Sequence, residues 1–197
     1  MSDSTDVDEN RETEIPPVVG EQLQVAFRLD DRPRTLREWG AAIGNIVERE
    51  GIDVELSALC TTDQSPHKAR FDGTTQHFLC VQDAFIVPSV ADDVDTVDIT
   101  TESPVSGERI EVTVTDDGVE TTPPGAVMSV GVSTDLSETP DTAGSPEMAY
   151  GEICPYGHAF RDRDEYEQWT ETVDAVTMVA PLEDAVQLAR AIDEATQ

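Results

Sequence analysis

A long apolar stretch runs from His77 to Val90, and a thiol and a carboxyl lie inside it three residues apart, at Cys80 and Asp83. A stretch of this composition is buried when the chain folds, and a buried carboxylate is costly unless neighbouring groups compensate it. A buried cysteine alone is more often a small core residue than a ligand. The fold must therefore place a polar partner beside Asp83, which favours a functional site over simple packing.

A second thiol, Cys154, lies far along the chain and also stands beside polar residues within an apolar segment. Thiolates are the side chains that hold soft metal ions, and a carboxyl beside them can move a proton. The candidate site residues, both for catalysis and for metal binding, are therefore Cys80, Asp83 and Cys154.

Charge excludes several classes of partner. The 197 residues include 42 acidic and 12 basic side chains, for a net charge of −30. Such a chain repels nucleic-acid phosphate and anionic lipid, so no nucleic acid and no membrane is expected as a partner. The 38% hydrophobic content and the periodic segments argue against general disorder. We expect a globular protein with an acidic surface, as in the cytosol of an extreme halophile, where salt screens the self-repulsion.

The expected location is the cytoplasm. The sequence contains no apolar run long enough to span a membrane, and its first residues are acidic where a signal peptide would be basic. Three cysteines, an odd number, do not fit a closed disulfide framework, so free thiols are expected.

The residue pattern predicts an α+β fold of small antiparallel sheets packed with helices. Residues 1–20 are expected to be a disordered acidic tail, residues 21–63 a small N-terminal α/β segment, and residues 64–197 the core. In the N-terminal segment, apolar residues alternate over 23–29 and predict a strand, and a second strand is expected over 54–59. Between them, the capping-box pattern from Thr35 to Glu38 begins a helix that ends at Gly51.

The core pattern alternates between strands and helices. A turn is predicted at residues 71–74 and a loop at 134–148; strands are predicted over 94–100, 110–115, 127–132 and 175–180. Residues 162–171 are predicted to form a short helix with Tyr166 and Trp169, and Pro181 is expected to start a final amphipathic helix.

Other chemistries fit less well. A structural zinc site usually has closely spaced ligand pairs, which Cys60, Cys80 and Cys154 do not form. No histidine stands in a recognisable cysteine-protease signature. Cys60 follows apolar neighbours and is interpreted as a core residue. His67 and His158 are interpreted as local hydrogen-bonding residues, and Trp39 and Trp169 as core anchors of their helices.

Several segments together resemble the organomercurial (alkylmercury) lyases over roughly residues 64–194. The central motif of that family has an aromatic-rich approach to a cysteine, an aspartate three residues later and a closing Phe-Pro-like pair. The segments that carry the resemblance are residues 65–71, 78–88, 103–107, 110–114, 124–127 and 154–160. The chain departs from the family at Ser103 and Pro155, where the family often has further cysteines, and its region before residue 64 is shorter than the family's winged-helix-like N-terminal domain.

The resemblance implies an alkylmercury-lyase-like core with a shortened helical N-terminal segment. It implies that Cys80 and Cys154 bind mercury and that Asp83 shuttles the proton. The implied reaction is protonolysis of the carbon–mercury bond of an organomercurial substrate, giving a hydrocarbon and mercury(II), with no organic cofactor. Cytosolic thiols or a mercuric reductase would then accept the mercury. The alternative is a non-enzymatic thiol-based soft-metal binding protein or metallochaperone on the same fold, which would have no need of Asp83.

Overall fold

A computed structural model describes residues 12–52, 55–91, 94–115, 118–136, 149 and 151–196. These residues form five helices and two antiparallel sheets, which confirms the α+β prediction. The helices are α1 Pro17–Phe27, α2 Leu36–Glu50, α3 Val81–Val90, α4 Arg163–Thr170 and α5 Ala185–Ala195. The strands are β1 Thr61–Thr62, β2 His67–Phe71, β3 Thr74–Phe78, β4 Thr96–Glu102, β5 Arg109–Thr115, β6 Gly118–Thr122, β7 Val127–Ser133, β8 Ala159–Phe160 and β9 Ala175–Pro181.

The larger sheet has the strand order β1-β3-β2-β4-β5-β6, with every neighbouring pair antiparallel. In β4 and β5 every second side chain is buried, as the alternating sequence pattern predicts. The buried face packs against α3, which is apolar around most of its surface. Helix α3, which contains Asp83, is therefore enclosed between this sheet and the other helices.

The smaller sheet has the order β8-β7-β9, and its central strand β7 is buried over most of its length. Helix α4 begins at Asp162, whose side chain accepts a hydrogen bond from the Glu165 backbone N–H. Its aromatic residues Tyr166 and Trp169 pack around Phe160 of β8. The interpretation of Trp169 as an anchor of this helix is confirmed.

Helices α2 and α5 pack closely because of two glycines. A Cβ atom at Gly40 would lie 2.5 Å from the Leu188 carbonyl oxygen, and one at Gly44 would lie 2.6 Å from the Ala195 Cβ. Only residues without a side chain permit this approach. The predicted start and end of α2 are confirmed, since the Thr35 side chain accepts a hydrogen bond from the Glu38 N–H and Gly51 ends the helix in the left-handed conformation.

The strand predicted over residues 23–29 is wrong, because α1 occupies residues 17–27. The buried residues of α1 include Val19, Leu23, Ala26 and Phe27, which recur at helical spacing, whereas Val25 is 62% exposed. The alternation of apolar residues that suggested a strand was therefore a coincidence of sequence. Helix α1 begins within the predicted disordered tail of residues 1–20, so the boundary at residue 20 is also wrong; residues 1–11 lie outside the described residues.

The second N-terminal strand, predicted over residues 54–59, is also wrong. Residues 53–54 lie outside the described residues, and Leu56–Ala58 forms a single 3-10 turn. Most of the predicted loop at 134–148 lies outside the described residues as well. No helix in the described part of the chain is both long enough and apolar enough to cross a membrane.

Candidate active site

Cys80 and Asp83 meet because both stand at the start of α3. Cys80 is the residue immediately before the first turn and has an extended backbone, and Asp83 lies within that turn. Side chains at these two positions face each other, as they do in a capping box. The Cys80 Sγ atom accordingly donates a hydrogen bond to Asp83 Oδ2 at 3.4 Å. The Cys-x-x-Asp spacing is therefore a consequence of local helix geometry.

Cys154 reaches the same point because its chain segment binds to the start of α3. Cys154 begins a 3-10 turn, Cys154–Tyr156, and the Val81 N–H at the start of α3 donates to the Gly157 carbonyl oxygen at 3.0 Å. A Cβ atom at Gly157 would lie 2.8 Å from the Cys80 Cβ. The glycine thus allows the close approach of the Cys154 turn to Cys80, and the thiols of the two residues lie in one buried cluster.

A buried polar network holds this turn in position. The Ser129 hydroxyl on β7 donates to the Tyr156 carbonyl oxygen at 2.7 Å and accepts from the His158 N–H at 3.0 Å. The Gln82 side chain donates to the Ser129 carbonyl oxygen at 2.9 Å. The smaller sheet, the Cys154 turn and helix α3 are therefore connected beside the thiols. Gln82 and Ser129 were not predicted as site residues, since neither stands in a pattern that indicates such a role.

Cys60 also lies at this site, although its sequence neighbours are apolar. It directly precedes β1, which pairs with β3, and its carbonyl oxygen accepts a hydrogen bond from the Leu79 N–H at 2.8 Å. The Cys154 thiol donates to the Cys60 Sγ at 3.2 Å. The interpretation of Cys60 as an ordinary core residue is therefore wrong. Burial of all three free thiols is nearly complete, with Cys60 6% exposed and Cys80 and Cys154 each 3% exposed.

The protonation states follow from burial. Burial raises the pKa of Asp83 from 3.8 to about 6, although hydrogen bonds from the Cys80 and Cys60 thiols and the Cys60 N–H oppose the shift. The hydrogen bond with Cys154 lowers the pKa of Cys80, but burial and the Asp83 charge outweigh it and the net shift is upward. The pKa of Cys154 is raised, first because its thiol donates to Cys60, and further by the neighbouring Cys80 and by burial. Asp83 can therefore both accept and release a proton near neutral pH.

The thiols open onto an apolar cavity of about 160 Å³. Its walls come from α1, α2 and α5 as well as from the site segments; the apolar lining residues include Phe27, Trp39, Ile43, Val47, Ile86, Leu188 and Ile192. Trp39 is 2% exposed, which confirms it as a core anchor. An engineered cavity of about 150 Å³ in another protein binds benzene, so a cavity of this size accommodates an organic group as large as a ring.

The two histidines make local hydrogen bonds. A His67 ring nitrogen lies 2.6 Å from the Thr101 hydroxyl, and a His158 ring nitrogen lies 2.9 Å from the Pro155 carbonyl oxygen. Burial and the neighbouring His158 lower the pKa of His67 to about 3, so that it is neutral at ordinary pH. These contacts confirm the interpretation of both residues as local hydrogen-bonding groups.

Thiols around one carboxyl, opening on an apolar cavity, define a site for a soft metal that carries an organic group. Comparison with known proteins identifies the family. The model of the alkylmercury lyases (MerB) matches residues 60–194. The chain therefore belongs to the alkylmercury lyase family, and its activity is that of an organomercurial lyase.

The fold agrees with this assignment. The crystal structure of the mercury-bound form of MerB2 is similar over 93% of this chain and 93% of its own, with 17% sequence identity and a TM-score of 0.51. At this identity the similarity shows the shared fold. No curated protein sequence matches the chain.

Proposed function

We propose that Cys80, Cys154 and Asp83 carry out protonolysis of an organomercurial, with mercury bound by the two thiols and the proton delivered by the carboxyl. The observation that carries this proposal is the hydrogen bond from Cys80 to Asp83, which lies beside the Cys154 thiol at the edge of the apolar cavity. The thiols supply electron density to mercury, and the carboxyl supplies the proton that the departing carbon requires.

In the first step, the Cys154 sulfur replaces the second ligand of mercury, the one bound opposite the organic group. The Cys154 thiol proton leaves with that ligand. The Cys80 thiol then transfers its proton to the Asp83 carboxylate along their hydrogen bond. The resulting Cys80 thiolate binds mercury as a second sulfur ligand. Mercury now carries two thiolates and the organic group, and Asp83 is protonated.

In the second step, Asp83 gives its proton to the carbon bound to mercury. The carbon–mercury electron pair forms the new carbon–hydrogen bond, the hydrocarbon leaves, and mercury(II) remains on two thiolates. Asp83 returns to the carboxylate form. A pKa of about 6 suits both halves of this cycle, because a general acid works best when its pKa is near the working pH.

The cavity indicates the class of organic group. Its apolar walls favour alkyl and aryl groups, and its volume is sufficient for a phenyl ring. The Trp39 ring is one of these walls, and its Nε1–H is buried without a hydrogen-bond partner among the described residues.

The product, mercury(II), requires an acceptor. Soft thiol ligands are the groups that compete for it, so cytosolic thiols or a mercuric reductase are the proposed acceptors. The cytoplasm is the proposed location, because a reducing compartment keeps the three cysteines as free thiols.

The net charge of −30 supports a halophilic protein. At low ionic strength, carboxylate repulsion extends over about 30 Å at 0.01 M salt and destabilises the compact state. We expect dialysis into dilute buffer to reduce the circular dichroism helix signal and the activity, and molar potassium chloride to restore both. Full stability in dilute buffer would refute the halophilic assignment alone.

The replacement Asp83→Asn tests the mechanism. It preserves size and removes the proton relay, so mercury(II) should still bind at the thiols while hydrocarbon release slows by on the order of 10²-fold or more. Bound mercury and released arene are measured in the same sample, with an arylmercurial as substrate and excess thiol in high salt. Ser57→Ala, an exposed site near Cys60, is the control and should match the wild type.

The same experiment separates a lyase from a metal carrier. In a carrier, the thiolates alone dominate the affinity for a soft ion, so Asp83→Asn would change little. Unchanged hydrocarbon release from the variant would mean that the proton reaches carbon by another route. The mechanism proposed here would then be rejected.

A further inference from the structure

The two-thiol mechanism leaves Cys60 without a role, although its thiol lies inside the site. The Sγ atom of Cys60, a carboxylate oxygen of Asp83 and the Sγ atom of Cys154 all lie within 4.8 Å of one another. The Cys60 and Cys154 sulfurs are 3.2 Å apart, and Cys80 belongs to the same buried cluster of cysteines. Two sulfurs and one carboxyl thus converge on a space of the size that a single metal ion occupies, and the third sulfur, that of Cys80, donates a hydrogen bond to the same carboxyl.

A backbone hydrogen bond holds Cys60 in position beside the site. Its backbone carbonyl oxygen accepts a hydrogen bond from the Leu79 N–H, one residue before Cys80. The Cys60 sulfur lies within 4.8 Å of the Asp83 carboxylate, which also accepts the hydrogen bond from the Cys80 thiol. The carboxylate therefore stands beside two thiols, those of Cys80 and Cys60. The mechanism uses only the first of them.

We propose that Cys60 is a third mercury ligand, which joins Cys80 and Cys154 once the hydrocarbon has left and holds mercury(II) in a three-sulfur site. This inference rests on the proposed function, because the product must first form at the other two thiols. Loss of the organic group vacates one position on the metal, and a thiol is the side chain best suited to occupy it.

The proton balance of this step is closed within the site. After protonolysis, Asp83 is a carboxylate and mercury(II) is bound to two thiolates. The Cys60 thiol passes its proton to Asp83, and the Cys60 sulfur forms a new bond to mercury. The products are a mercury(II) tris-thiolate and a protonated Asp83, with the same total charge as before and no change in oxidation state.

The third thiolate has a consequence for product release. Mercury bound by three sulfurs leaves only when incoming thiols replace each of them, so Cys60 slows loss of the toxic ion to solvent. Because Cys60 is a positioning contact for Asp83 as well as a ligand, the test measures metal coordination and transfer directly and does not depend on turnover alone.

The first test counts the sulfur ligands. The freshly reduced full-length protein is loaded with one equivalent of mercury(II) chloride in high salt without added thiol, and mercury-edge X-ray absorption gives the sulfur number and mean mercury–sulfur distance. We expect three sulfurs in the wild type and two, at a shorter distance, in Cys60→Ser and Cys60→Ala. Ser57→Ala should retain three. A wild-type count of two overturns the inference.

The second test measures mercury transfer. Each loaded protein is mixed with a small dithiol chelator, and the mercury that remains on the protein is followed over time after rapid desalting. We expect transfer to be several-fold faster from Cys60→Ser and Cys60→Ala than from wild type, with Ser57→Ala unchanged. Equal transfer rates overturn the inference. Arene release from Asp83→Asn is measured separately, so failure here does not imply failure of the lyase mechanism.

Discussion

The N-terminal helices and the family-matched part of the chain contribute different things to one site. Helices α1 and α2 lie outside residues 60–194, which the alkylmercury lyase model matches. They supply apolar cavity walls at Phe27, Trp39, Ile43 and Val47, whereas the matched part supplies every thiol and the carboxyl. In the proposed mechanism, bond cleavage therefore uses side chains of residues 60–194 alone, and the choice of organic group depends partly on the helices that cover them.

The largest expected effect comes from removing a thiol of the matched part. Cys80→Ser and Cys154→Ser should each reduce arene release below detection, because a hydroxyl does not replace a thiolate as a ligand for a soft metal. Arene release in high salt with excess thiol is the measurement, and Ser57→Ala is the matched control. Substantial turnover by either variant would mean that Cys60 replaces it and that the assignment of the two thiols is wrong.

The next effect tests the contact that unites the site. Gly157→Ala places a Cβ atom 2.8 Å from the Cys80 Cβ, so the Cys154 turn must shift away from α3. A displacement of about 1 Å at a reacting group costs on the order of 10²-fold in rate. Single-turnover arene release measures the loss. Gly151→Ala, with open space around its Cα, is the control, and equal activity of the two variants would contradict the geometry described for this turn.

The buried carboxyl of the matched part should reduce stability as the pH rises. The folded-state pKa of Asp83, about 6, lies above its ordinary value of 3.8, so the folded protein holds this proton more tightly than the unfolded chain. Its contribution to the free energy of unfolding is therefore present at low pH and lost as the pH rises through 6. The loss amounts to about 3 kcal/mol at 1.36 kcal/mol per pKa unit.

Asp83→Asn removes this pH dependence. Urea unfolding of wild type and variant at constant high salt should give a stability difference that shifts in favour of the variant by roughly 2 kcal/mol between pH 4 and pH 7, since pH 4 already lies just above the unfolded-state pKa. Other carboxyls cancel because they are common to both proteins. A difference that is independent of pH would show that burial does not raise the pKa of Asp83 in the folded protein.

The smallest effect tests the N-terminal helices. Ile43→Phe enlarges a wall residue of α2 and reduces the cavity, so the ratio of kcat/KM for phenylmercury to that for methylmercury should fall about tenfold, within the range for small changes in an apolar pocket. Val25→Phe, on the exposed side of α1, is the matched control and should leave the ratio unchanged. An unchanged ratio in Ile43→Phe would mean that the organic group does not enter this cavity.

Local sequence determined the elements that depend on neighbouring residues. The alternating strands β4 and β5, the start of α2 at Thr35 and the start of α4 at Asp162 follow from periodicity and capping, which act over a few residues. The pairing of Cys80 with Asp83 belongs to the same class, since both stand in one helical turn. The family resemblance then associated Cys154 with them.

Only the tertiary structure decided the rest. Residues 23–29 fit both the alternation of a strand and the spacing of a helix. Helix α1 forms there because the residues that are buried against the rest of the protein recur at helical spacing. Cys60 could not be assigned to the site, since it reaches Cys154, 94 residues away, through the two-residue pairing of β1 with β3. Contacts between distant segments depend on how sheets and helices pack, and no short-range pattern encodes them.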